Sequence, residues 1–74
     1  MVLTDLENGQ TARVIKLNCS LPYQKRLLEL GLTEGAKITL VRSALFSDPV
    51  EIKIRGFCLA IRLSVAEQIQ VEQI

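Results

Sequence analysis

The chain has 74 residues, of which 49% are hydrophobic and 4% aromatic, and its formal net charge is +1. This length predicts a single small domain, 1–74, whose core is built from Leu, Ile and Val side chains. Nine basic residues balance eight acidic ones, so the charge pattern excludes nucleic acid and an anionic membrane surface as expected partners.

The chain opens with a lead-in that ends at a turn. Asn8-Gly9 is the strongest turn pair in the sequence. A first strand is predicted over 11–18, which is rich in strand-forming residues. Because Val14 and Ile15 are neighbours, the inward face of this strand stays open.

One helix is predicted, over 20–31. Ser20 can cap its start, and Pro22 suits a first turn, where a missing N–H costs nothing. The helix is short, so its stability must come from packing. Its apolar residues cluster near one face: Leu27, Leu28 and Leu30.

Two glycines predict the end of the helix and the start of a strand. Gly31 suits the position after the last helical residue, where a left-handed conformation ends a helix, and Leu32 can then pack back on the last turn. Gly35 closes a tight turn with a positive φ. A strand is predicted to follow over 36–43.

The second half of the chain predicts three more strands. A loop over 44–49 leads to a strand over 50–55 with regular alternation, in which Val50, Ile52 and Ile54 face inward. Gly56 marks the next turn, and the hairpin partner is predicted over 57–63, with Leu59 and Ile61 inward. A one-turn helix over 64–67, capped by Ser64, and a last strand with Ile69 and Val71 inward complete the series. The sum is a mainly β protein, a small barrel of about five strands with one short helix between the first and second strands.

The residue types that support most enzyme and metal chemistry are scarce. Histidine is absent, and no Cys or Ser lies in a nucleophile motif. We therefore expect no enzymatic activity, no cofactor and no metal site. Cys58 follows the pattern of a strand core and is expected to be buried, whereas Cys19 is expected to be the more exposed thiol.

Targeting signals are also missing from the sequence. The first residues carry acids instead of a basic segment, and the longest unbroken apolar run is Phe57–Ile61. We therefore expect no signal peptide, no membrane insertion and a cytoplasmic location.

Four segments follow one another along the chain: "LLELGLTEG", "ALFSDP", "IRGFCLAIR" and "AEQIQV". In their order and spacing they resemble the FeoA family, the small SH3-like proteins of bacterial ferrous iron transport. The resemblance implies an SH3-like fold and a non-enzymatic accessory or regulatory role beside FeoB, a membrane iron transporter with a cytoplasmic GTP-binding domain. Two alternatives stay open: an SH3-like domain of the type found in metal-dependent repressors, and a barrel that associates with copies of itself.

Five residues are candidates for binding a partner. Leu45 and Phe46 are large apolar residues in a loop, where they are either an exposed anchor or a lid on the core. Asp48 ends the same loop. Lys25 and Arg26 on the helix could meet an acidic partner, although a solvated helix face explains them equally. Gly31, Gly35 and Gly56 are interpreted as structural turn residues.

Overall fold

The computed structural model describes residues 1–42 and 48–74. The elements, in chain order, are a 3-10 helix (Leu3–Asp5), strand β1 (Thr11–Leu17), helix α1 (Leu21–Glu29), strands β2 (Lys37–Arg42), β3 (Val50–Ile54) and β4 (Phe57–Ile61), the short helix α2 (Leu63–Ala66) and strand β5 (Ile69–Gln73). The predicted mainly β architecture, with a helix between the first two strands, is confirmed.

The strands form one antiparallel sheet in the order β4-β3-β2-β1-β5. Among the described strands the ladder does not close on itself, because β4 and β5 lie at its two ends. The outer edge of β5 is covered by the start of the chain. The Val71 amide donates to the Met1 carbonyl oxygen at 2.9 Å, and Val2 forms a bridge with Gln70.

Among residues 1–42 and 48–74 the core is aliphatic, in line with the composition. Neither Tyr23 nor Phe57 is buried, with 53% and 42% of their surface exposed. Within 1–42 and 48–74 no polar or charged residue is buried. The largest fully buried side chains are Leu3, Leu32, Ile38, Leu40, Ile52, Ile54, Ile69, Val14 and Val50.

A bulge in β1 resolves the ambiguity between Val14 and Ile15. The register of β1 against β5 shifts between Val14 and Lys16, so one extra residue interrupts the alternation. Val14 and Leu17 are buried, while 40% of Ile15 is exposed. The inward face is therefore set by the bulge and could not follow from simple alternation.

The end of α1 confirms the predicted role of Gly31. The Leu32 amide donates to the Leu27 carbonyl oxygen at 2.9 Å, and the Gly31 amide donates to Leu28 at 3.0 Å. These two bonds satisfy carbonyls that the helix itself leaves free, and they need the positive φ of +102° that Gly31 adopts. Leu32 is fully buried, so the chain returns to the core directly after the helix.

Gly35 lies in the turn that leads into β2. Its φ is +87°, its amide donates to the Val14 carbonyl oxygen at 2.7 Å, and the next amide, of Ala36, donates to Thr33 at 3.0 Å. The tight turn is confirmed. The hydrogen bond from Gly35 to Val14 also fixes the register between β1 and β2, because Val14 lies in the middle of β1.

The β3–β4 hairpin turns over two residues, Arg55 and Gly56, which have φ values of 49° and 84°. Two consecutive positive φ values are typical of the turn type whose twist matches a hairpin. The prediction that Arg55 ends the strand is therefore wrong by one residue, while Gly56 occupies the expected turn.

Two predicted helix caps are wrong. Ser20 occupies the position before α1, but its side chain makes no capping hydrogen bond. Instead the Gln24 side-chain amide, one turn later, donates to the carbonyl oxygens of Leu17 and Cys19 at 2.8 and 3.0 Å. Ser64 lies inside α2. The first amide of that helix, at Leu63, donates instead to the side chain of Asp48.

Candidate functional site

A groove of about 390 Å³ lies between α1 and β4, at the open end of the sheet. One wall comes from the helix and the other from the edge strand and the residues after it. The lining residues are Tyr23, Arg26, Leu27, Leu30, Leu59, Ala60, Ile61, Arg62 and Val65. Most are apolar, so the groove presents a hydrophobic floor beside solvent-exposed charges.

Helical spacing explains the wall that α1 provides. Positions three, four and seven residues apart lie on one face of a helix, which brings together Tyr23, Leu27 and Leu30 with Arg26. Leu27 is buried at 6% exposure and Leu30 is half-buried. The predicted apolar face is therefore wrong for Leu28, which points away from the core and is 46% exposed.

The other wall follows from the pairing of β4 with β3. Leu59 and Ile61 lie directly opposite Ile52 and Val50, and residues that face each other across a ladder project to the same side of a sheet. Leu59 therefore points toward the core face, as predicted. It is only half-buried, because β4 has no further strand beside it among the described residues.

Two arginines supply the charge of the groove. Arg26 on α1 and Arg62 after β4 are both exposed, and none of the described residues that line the groove is acidic. Within the described part of the chain, no hydrogen bond or ion pair engages either guanidinium. The groove thus combines an apolar floor with two positive charges that are free to meet a partner.

A smaller cavity of about 300 Å³ adjoins the groove, since both are lined by Ala60 and Arg62. Asp48 and Pro49 form its other wall. The Leu63 amide donates to Asp48 Oδ1 at 2.9 Å, so this carboxylate binds the first free N–H of α2. Asp48 therefore holds the residues after β4 in place beside Arg62.

The predicted partner-binding residues have different positions. Arg26 lines the groove and Asp48 lies beside it, whereas Lys25 is exposed but does not line it. Leu45 and Phe46 lie outside the described residues. The role of all five in binding stays a prediction.

Sequence reasoning missed the other groove residues. Tyr23 and Leu30 carried a signal in their spacing of seven residues from each other. Leu59 and Arg62 carried none, because their position beside the helix depends on how the β3–β4 hairpin lies in the sheet.

The burial of the two cysteines is the reverse of the prediction. Cys19 is buried and Cys58 is exposed, because Cys58 faces away from the core on an edge strand. Among the described residues, no three Cys, Asp or Glu side chains form a group that could hold a metal ion. No described helix is long and apolar enough to cross a bilayer.

Comparison with known proteins places the chain in a family. The model of the FeoA domain matches residues 1–73. In Porphyromonas gingivalis (strain ATCC BAA-308 / W83), a fusion protein of Fe(2+) transport protein A and the Fe(2+) transporter FeoB is 34% identical over 74 residues. The match covers 100% of this chain and 9% of the fusion protein, so the chain spans a small part of that relative.

Solved structures agree with this match. The solution structure of FeoA from Chlorobium tepidum is 35% identical, with a TM-score of 0.93 over 100% of this chain and 70% of that one. The zinc-complexed crystal structure of Stenotrophomonas maltophilia FeoA, described as a procaryotic SH3 domain protein, is 25% identical, with a TM-score of 0.82 over 97% of this chain and 89% of that one. The predicted SH3-like fold is confirmed, and the chain belongs to the FeoA domain family, which is associated with ferrous iron transport.

Proposed function

We propose that this chain is a protein-binding accessory subunit of a FeoB-type ferrous iron transporter and that the groove between α1 and β4 is its docking surface. The relative in which the same domain and a FeoB transporter form one chain supports the choice of partner. Fusion keeps two domains at a high effective concentration, which is useful only where the domains act together.

The groove is the observation that carries the choice of surface. Tyr23 is exposed, and Leu30 and Leu59 are half-buried, so apolar area remains that a partner can cover. The residues that carry most of the binding energy at interfaces are enriched in Tyr and Arg, and both types line this groove. Arg26 and Arg62 give this surface a positive charge, which suits an acidic segment of a partner.

In this proposal the chain acts on the cytoplasmic side of the membrane and contributes binding, with no catalysis of its own and no cofactor. Any nucleotide chemistry belongs to the transporter. The role is regulatory or structural, and it depends on the two proteins remaining in contact.

The test is the affinity of the 74-residue protein for the cytoplasmic portion of the FeoB-type transporter from the same organism, measured by calorimetry. Arg26→Glu reverses a charge in the groove and should weaken binding about tenfold or more, equivalent to about 1.4 kcal/mol. Lys25→Glu makes the same charge change one position away, outside the groove, and should weaken it less than about threefold. Equal losses for the two variants would contradict the groove as the surface.

The loop residues Leu45 and Phe46 provide the competing hypothesis for the anchor. If they form it, Leu45→Ser combined with Phe46→Ser should abolish binding while Arg26→Glu leaves it intact. A protein that captures a DNA-bound partner and no transporter portion would favour the repressor-type alternative.

A further inference from the structure

We infer that the partner contributes an extended segment that adds a strand to the open edge of β4, with an apolar side chain in the groove and carboxylates beside Arg26 and Arg62. This inference rests on the proposed function, and the segment belongs to the cytoplasmic portion of the transporter. It specifies the backbone geometry and the side-chain chemistry of the contact.

The two edge strands of the sheet differ in whether their outer edges are hydrogen-bonded. The outer edge of β5 is covered, because Val71 binds Met1 and Val2 bridges Gln70. No described residue makes a backbone hydrogen bond to the outer edge of β4. As far as the described residues go, the edge beside the groove is therefore the one left open for pairing.

The free backbone groups of β4 follow from its hairpin. In a two-residue hairpin the closing pair, here Ile54 and Phe57, exchanges hydrogen bonds, and bonded and non-bonded pairs then alternate along the ladder. Leu59 and Ile61 thus bind β3, while the N–H and C=O groups of Cys58 and Ala60 point away from it. These four groups match the spacing that an added strand requires.

β4 also lacks the features that normally protect an edge strand. Natural edges are blunted by charged side chains, proline or bulges. The strand reads Phe-Cys-Leu-Ala-Ile, and its five pairs with β3 run without a register shift. A regular, uncharged edge with small outward side chains, Cys58 and Ala60, is suited to pairing with another chain.

The groove determines which residues the added segment needs. A residue facing Leu59 across the new ladder would project to the same side as Leu59, toward Leu27 and Leu30. An aliphatic side chain fits there. Carboxylates in the segment would meet Arg26 and Arg62, because the described lining of the groove has two positive charges and no acidic residue. A proline-rich ligand is disfavoured, since such ligands dock on several aromatic rings and, among the described residues, Tyr23 is the one aromatic residue that lines the groove.

Amide hydrogen exchange tests the backbone contact directly. In ¹⁵N-labelled protein, the amides of Cys58 and Ala60 should exchange about tenfold or more slowly once the transporter's cytoplasmic portion is bound. The Leu59 amide is an internal control, because it is already bonded to β3. Binding with unchanged exchange at Cys58 and Ala60 would overturn strand addition while leaving the proposed function intact. No binding at all would overturn both.

A pair of substitutions separates pairing from simple burial. Ala60→Pro removes an N–H that faces away from β3, whereas Ala60→Val adds similar bulk and keeps that N–H. The proline variant should bind about tenfold more weakly than the valine variant. Equal affinities of two folded variants would overturn the inference. The labelled protein alone, at two concentrations, is the final control: protection of Cys58 and Ala60 that rises with concentration would assign the edge to a second copy and overturn the transporter segment.

Discussion

Gly35 has a purely conformational role. Its φ is +87°, and a Cβ built on it would have no neighbour within 4 Å. A substitution there therefore strains the backbone without creating a clash. We expect Gly35→Val to lower the free energy of unfolding by about 1–3 kcal/mol, because a β-branched residue tolerates positive φ poorly.

Chemical denaturation measures this loss, and Gly35→Asn is the matched control. Asn adopts left-handed conformations more readily than other residues with a side chain. The asparagine variant should therefore lose less stability than the valine variant. Equal stability of Gly35→Val and the parent protein would refute the turn described above.

The cysteines yield a second prediction for single residues. Cys58 is exposed and Cys19 is buried, so an alkylating reagent should modify Cys58 in the folded protein and Cys19 only after unfolding. Mass spectrometry of peptides identifies the modified site. The variant Cys58→Ser should react only after denaturant is added, and rapid labelling of Cys19 in that folded variant would contradict its burial.

The cysteines also show where reasoning from sequence reaches its limit. Cys58 has apolar neighbours on both sides, which suggests a core strand, yet on an edge strand its outward face meets solvent. Cys19 precedes a helix cap, which suggests exposure, yet the Gln24 side chain binds the Cys19 carbonyl oxygen and the thiol faces the core. Local pattern identifies a strand but does not locate it within the sheet.

For the elements, local chemistry was a better guide. The regular alternation of β3 and the glycine after α1 were both predictable, because each depends on neighbours in sequence. The apolar face of α1 was predicted less well. Adjacent residues of a helix do not share a face, so Leu27 and Leu28 cannot both face inward, and packing buries Leu27.

A pair of substitutions tests how α1 is attached. Leu32 is fully buried just after the helix, whereas 46% of Leu28 is exposed. We expect Leu32→Ala to lower the free energy of unfolding by about 2–5 kcal/mol. Leu28→Ala should change it by less than about 0.5 kcal/mol. Urea denaturation measures both values, and similar losses would mean that the helix presents a different face to the core.

In the whole molecule, the groove depends on residues far apart in sequence. Its walls are α1 and β4, which are separated along the chain by the strands β2 and β3. Arg26 could be proposed from the sequence as a residue of an exposed helix. Its neighbour across the groove, Arg62, could not, because only the position of the β3–β4 hairpin places it there.

The central claim is that a FeoB-type transporter docks in this groove, and NMR shift mapping tests it most directly. On titration with the transporter's cytoplasmic portion, the backbone signals of Leu30, Leu59 and Arg62 should shift most. Those of Arg13 and Lys37, which are exposed on β1 and β2 outside the groove, should stay in place. Largest shifts at these two residues, or at 43–47 with a silent groove, would contradict the account.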